Sequence, residues 1–170
     1  MNKAIRGLVL VSLLVLMATV VGPAGEASAQ TTYIAVPAAA FHVGGNTSYN
    51  ASFNAVQANG SDVVRAEVYF STVGRRVCRL TLWARDPSDS DVTGRLVRKR
   101  TQADGSDFGP AAETIASVSS TGADNALRRF DTTAISQPVI AAAYNYWVEL
   151  DFSGGTIHVI GLRIQVDDVC

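Results

Sequence analysis

Histidine, cysteine and tryptophan each occur only twice in this sequence. Zinc centres need several His or Cys ligands at short spacing, and no two such residues stand that way here, so no metal or other cofactor is expected. His42 and His158 have no recognisable nucleophile or orienting acid beside them. No serine stands in a Gly-x-Ser-x-Gly elbow, so a Ser-His hydrolase has no support. An excess of basic charge is lacking too: 14 Lys and Arg face 15 Asp and Glu. A nucleic-acid partner, which calls for a basic face, is therefore not expected. The one basic cluster, between Arg95 and Arg100, alternates with apolar residues and reads as a charged strand edge. Nucleotide-binding motifs are missing as well.

Long apolar runs are confined to the amino terminus. Lys3 and Arg6 precede the run Leu8 to Val21, which is short against the ~20 residues of a membrane-spanning helix. Gly22-Pro23 breaks it, and Ala27-Ser28-Ala29 supplies the small residues of a cleavage site. Residues 1–29 thus read as a cleavable signal peptide, with no stable membrane anchor left afterwards. An uncleaved anchor is the alternative. The remaining residues 30–170 are long enough for one domain with its own core, and carry a net charge of −2. The expected location is secreted, or extracellular. In an oxidising compartment Cys78 and Cys170 are expected to be joined, although Cys78 alone could simply pack in a core.

Past the leader, the 3.6-residue apolar period of a surface helix is absent, and period-two alternation takes its place. Thr32–Val36 leads to Pro37, and Ala38–Val43 to a turn at Gly44-Gly45-Asn46. Tyr49, Ala51, Phe53 and Ala55 alternate with Ser48, Asn50, Ser52 and Asn54, which predicts a half-buried strand ending near Asn59. Further strands are expected at Arg65–Phe70, Cys78–Arg85, Val92–Thr101, Thr114–Ser119 and Arg128–Thr133. A long loop, Ala103 to Pro110, lies between them. Tyr144–Phe152 and Ile157–Val166 flank Ser153-Gly154-Gly155, which predicts a hairpin. About eight to ten strands result, so the fold class is all-β: a two-sheet antiparallel β-sandwich, jelly-roll-like.

One set of segments has a familiar order. It runs from Ile34-Ala-Val-Pro-Ala-Ala-Ala-Phe41 through Arg79-Leu-Thr-Leu-Trp-Ala-Arg-Asp86 and Asp91-Val-Thr-Gly-Arg-Leu96. Ala116-Ser-Val-Ser-Ser120 and Gly161-Leu-Arg-Ile164 complete it. This order resembles a family of secreted bacterial β-sandwich proteins with no assigned activity. The resemblance implies the sandwich fold and export, and carries no functional residues.

The side chains that could work on a ligand are few. Asp86, Asp89 and Asp91 could offer oxygen ligands to Ca²⁺, although the spacing is not that of an EF-hand. A solvated loop whose Asp and Ser residues bond their own backbone is the competing reading. Glu149 and Asp151 share a strand face roughly 6–7 Å apart, which suits a glycan hydrolase as well as a charge-paired sheet surface. The most informative feature is aromatic. Trp83 falls on the polar phase of its strand with Arg79 and Arg85, and Trp147 on that of another with Asn145, Glu149 and Asp151. Tyr69 lies on the polar phase beside Arg65 and Glu67. Flat rings among hydrogen-bonding groups suit a sugar, with stacking for area and polar groups for orientation. If their strands are neighbours, Arg79 and Arg85 would instead pair with Glu149 and Asp151.

These observations lead to a non-catalytic binding module, with extracellular glycan or cell-envelope material as the first partner to test. A homo-oligomer that self-associates through exposed aromatics is the alternative. A glycan hydrolase stands third.

Overall fold

The computed structural model describes residues 31–101 and 111–170. The expected leader, and the loop Ala103 to Pro110, lie outside these residues. Ten strands occur in order: β1 (Thr32–Pro37), β2 (Thr47–Asn50), β3 (Ala55–Asn59), β4 (Asp62–Val68), β5 (Arg76–Asp86), β6 (Val92–Arg100), β7 (Glu113–Ser119), β8 (Asp124–Thr132), β9 (Tyr144–Phe152) and β10 (Thr156–Asp167). A 3₁₀ turn, Ala38–Ala40, follows β1. The strands form two antiparallel sheets. Sheet A has the order β2-β3-β10-β5-β8, with β1 also on β10, and sheet B has the order β4-β9-β6-β7.

Strand alternation explains the core. On β5, Leu80, Leu82 and Ala84 are fully buried, as are Val148, Leu150 and Phe152 on β9. Ile157, Val159, Leu162 and Ile164 of β10 join them, and Val64, Ala66, Val92 and Leu96 complete the layer between the sheets. Each large apolar side chain buried this way contributes roughly 1.5–3 kcal/mol against leaving it in water. The even phases of β4, of β9 and of β5 from Leu80 onward thus face inward, while a register shift before Arg79 turns Val77 into the core.

On β10 the phase slips at Ile160, where a bulge separates the Val159–Ala84 and Gly161–Trp83 pairs. The bulge lets one strand serve two neighbours along one edge. Val159 to Thr156 pair with β3, and Gly161 to Val166 pair with β1. A Cβ on Gly161 would stand 2.5 Å from the carbonyl oxygen of Val36, so only glycine allows β1 this close.

Two local expectations are corrected. β9 and β10 do not form a hairpin, because they lie in opposite sheets. The intervening turn is instead locked to the β5–β6 loop: Ser153 N–H and Oγ–H both donate to the Asp91 carbonyl, at 3.0 and 2.8 Å, and Asp91 N–H donates to Ser153 Oγ at 2.9 Å. Gly155 has φ +70°, and a Cβ there would collide with Ser88. The Gly-Gly pair makes room for the neighbouring loop, and does not mark a two-stranded ribbon.

The second correction concerns Tyr49 to Asn59, which is not one strand. Residues 51–54 turn the chain back, so that β2 and β3 pair from Asn50–Ala55 to Thr47–Ala58. Asn50 Oδ1 accepts from Ser52 N–H at 3.1 Å, and Asn54 takes φ +48°. Both are turn habits of asparagine that outweigh the apolar alternation.

Candidate functional site

The outward phase of β9 carries Asn145, Trp147, Glu149 and Asp151, between β4 and β6. Arg65 and Arg95 flank Glu149 in register, Glu67 and Val97 flank Trp147, and Val63 and Thr93 flank Asp151. Arg65 Nε lies 2.8 Å from Glu149 Oε1, and Arg95 Nη1 lies 2.8 Å from Asp151 Oδ2. The same Glu149 oxygen accepts the indole N–H of Trp147 at 2.9 Å, which fixes the ring in its plane on the sheet.

Beyond Trp147 the face opens into a cleft of about 710 Å³. It lies where β4 and β9 meet the segments around Phe70–Val73 and Ile140–Ala142. Phe70 and Tyr146 pack edge to face at 4.9 Å, and the Ala141 N–H donates to Tyr146 Oη at 3.0 Å. Tyr144 is covered by the Arg98 guanidinium, 4.2 Å from the ring centre. On the rim Tyr69 is 80% exposed, and its hydroxyl donates to Glu67 Oε2 at 2.5 Å. That bond and the Glu67 charge hold the phenol above its ordinary pKa. The cleft therefore combines the exposed ring of Tyr69 and the half-buried indole of Trp147 with an acid, an amide and a guanidinium at its edge, those of Glu67, Asn145 and Arg65. Polar groups around aromatic area can both hold and orient a small polar ligand.

Sheet A presents a second outward face. Arg79, Thr81, Trp83 and Arg85 alternate along β5, with Arg129 and Asp131 of β8 on one side and His158, Arg163 and Gln165 of β10 on the other. The Arg163 guanidinium lies between two rings, 4.6 Å from the centre of Tyr33 and 4.9 Å from that of Trp83. His158 is buried beneath Phe53, ring centres 5.0 Å apart, and its Nδ1 has no hydrogen-bond partner. Burial, with a smaller contribution from the Arg85 charge, lowers its pKa.

The residues singled out in the sequence thus fall into two groups. Asn145, Trp147, Glu149 and Asp151 lie on β9 of sheet B, with Tyr69 just past the end of β4, while Trp83, Arg79 and Arg85 share sheet A. Both tryptophans take the outward phase, as the alternation says, but on opposite sides of the sandwich. The cross-sheet pairing of Arg79 and Arg85 with Glu149 and Asp151 is corrected for the same reason. β5 and β9 are not neighbours, and the two acids take Arg65 and Arg95 as partners. Tyr144, Tyr146 and Phe70 were not expected in a site. Their signal was the aromatic density of Tyr-Asn-Tyr-Trp at the start of β9.

The acidic loop does not assemble as a calcium site. Asp86 is buried, with Oδ2 accepting from Ser120 Oγ at 2.6 Å and Oδ1 from Ser88 Oγ at 3.0 Å. Ser120 Oγ in turn accepts the Val92 N–H at 2.9 Å. The carboxylate ties β5 to the sheet B strands through Ser120 and Val92. Among the described residues no three His, Cys, Asp or Glu side chains are grouped to hold a metal ion. Cys78 and Cys170 are joined in a disulfide.

The sequence matches no protein-family model and no curated protein. Solved structures are similar in fold. A xylan-binding module, CBM15, has a TM-score of 0.51 and 13% identity, the match covering 81% of this chain and 97% of that one. An Arthrobacter globiformis T6 isomalto-dextranase complexed with panose has a TM-score of 0.48 and 18% identity, over 79% of this chain. A Bacillus thuringiensis Cry1Da tryptic core variant has a TM-score of 0.47 and 11% identity, over 81% of this chain. This chain spans only 23% of the length of each of the latter two.

Proposed function

We propose that this protein is an exported, non-catalytic carbohydrate-binding sandwich that holds a glycan in the sheet B cleft. The observation that carries the reading is the cleft of about 710 Å³ in which Tyr69, Trp147 and Asn145 meet. Its size suits a short oligosaccharide, and its rings and polar rim suit a ligand with both apolar ring faces and many hydroxyls. The fold shared with a xylan-binding module supports this choice of ligand class. A disulfide supports an oxidising compartment, and with it the signal-like leader. The ion pairs of Glu149 and Asp151 favour a binding role, since both carboxylates already serve arginines on an open sheet face.

The test is a glycan array with insoluble-polysaccharide pull-down, using the purified protein and its Trp147→Ala and Tyr69→Ala variants. Binding to at least one neutral glycan is expected, weakened about 30-fold or more by Trp147→Ala, the usual scale for losing a central aromatic anchor. Trp83→Ala, on the opposite sheet, should leave that binding unchanged. Failure to bind any glycan, with light scattering that grows with protein concentration, would replace this reading with self-association through Tyr69 and the exposed Val73 beside it.

A further inference from the structure

The two outer faces differ in charge. On sheet B, Arg65, Arg95 and Lys99 are matched by Glu67, Glu149 and Asp151. The outer face of sheet A carries Arg79, Arg85, Arg129 and Arg163, with Asp131 and Asp167 as its acids. Asp131 is already engaged, and Asp167 through one oxygen, its Oδ1 being buried without a hydrogen-bond partner. Asp131 takes the Arg129 guanidinium at 2.8 Å and the Thr81 hydroxyl at 2.6 Å, and Asp167 accepts from Gln165 Nε2 at 2.7 Å. Burial pushes the Asp131 carboxyl up, but Thr81, Arg129 and Arg79 outweigh it and hold the group below the usual carboxylate range.

Arg85 and Arg163 stand outside these pairs. Among the described residues neither has a carboxylate within ion-pair distance. Arg85 binds the neutral Asn125 amide and lies 5.4 Å over Phe53. Arg163 is held by rings alone, which position a guanidinium without using its in-plane donors. Beside it a hollow of about 200 Å³ is lined by Ala35, Pro37, Trp83, Gly161 and Arg163.

We propose that this face is a second binding surface, separate from the cleft, for acidic polysaccharide. A uronate ring would lie in the hollow against Trp83, and its carboxylate would take the free donors of Arg163 in a charge-assisted, two-pronged contact. Arg85, further along the same side of β5, is placed for another carboxylate of the polymer. Phosphate tracks on nucleic acid need a denser row of cations than the spaced arginines of this face, in a chain that is slightly acidic. A polymer with spaced carboxylates and apolar ring faces fits better.

Affinity electrophoresis of the purified, oxidised protein through gels containing polygalacturonate tests this. Retardation is expected in the acid polymer and should vanish in its fully methyl-esterified form. Arg163→Gln and Trp83→Ala should each weaken binding tenfold or more, while Trp147→Ala should not. Arg85→Gln provides a second arm if Arg163→Gln lowers the melting temperature. Equal retardation by the esterified polymer would overturn the proposal, as would full binding by both arginine variants. Tighter binding of a single-stranded oligonucleotide would overturn it in favour of nucleic acid. The cleft reading fails separately, since its variants lie on the other sheet.

Discussion

At the residue scale, His158 shows how a polar side chain can be placed by its neighbours. It points outward from β10, yet Phe53 covers it and leaves Nδ1 without a partner. Protonation would bury a charge next to Arg85, so the folded form resists the proton more than the unfolded chain does. The unfolded state therefore binds more protons once the pH falls below the ordinary value of 6.5, and stability drops from there down to the lowered folded value. Above 6.5 this contribution is fully present. Urea titrations between pH 7.5 and 5 should show a loss of stability that His158→Gln flattens; equal slopes in the two proteins would remove His158 as the source. From the sequence, His158 was a histidine in a strand and no more, because its cover comes from a turn a hundred residues earlier.

At the scale of elements, alternation specified which residues of β5 and β9 face outward, and the structure agrees for Trp83 and Trp147, while Tyr69 lies just past the end of β4. It carries no information about the partner strand. A period of two assigns parity, and the neighbour is chosen by packing between distant segments. That is why the aromatic face read as one surface and folds as two. It is also why the Tyr144–Phe152 and Ile157–Val166 pair looked like a hairpin. Similarly, the broken strand at Tyr49–Asn59 needed the turn chemistry of Asn50 and Asn54 to be weighed above its apolar beat. The bulge at Ile160 was invisible because Gly161 looks like any strand glycine until β1 is laid beside it. Gly161→Ala should cost about 1–3 kcal/mol, the range for forced overpacking. Gly44→Ala, where an added Cβ meets nothing within 4 Å, should be near neutral. Denaturant midpoints of the two variants compare them directly.

For the whole molecule, successive strands alternate between sheets along much of the chain, and the Cys78–Cys170 bond spans 92 residues of it. Closing a loop of that size is worth roughly 4–5 kcal/mol in the chain-entropy model. Replacing both cysteines by serine should therefore lower stability by about 2–5 kcal/mol, the usual span for a lost native disulfide. Urea unfolding of the variant beside the oxidised parent measures it, and a difference below 1 kcal/mol would show that the bridge is incidental. The pairing was legible in outline because the sequence holds two cysteines, which have only each other. The sandwich was legible because ten short alternating segments leave few other ways to bury one face of each.

The position of β10 has a consequence in time. It lies at the middle of sheet A, holding β1 and β3 on one edge and β5 on the other. A chain made from the amino terminus cannot complete this sheet until its final strand has been synthesised, so β1, β3 and β5 wait without their shared neighbour. Most of the contacts that close the core are remote in sequence, which makes folding slow compared with a chain of local hairpins. Until β10 is made, sheet A can exist only as the β2–β3 and β5–β8 pairs, with β1 unattached.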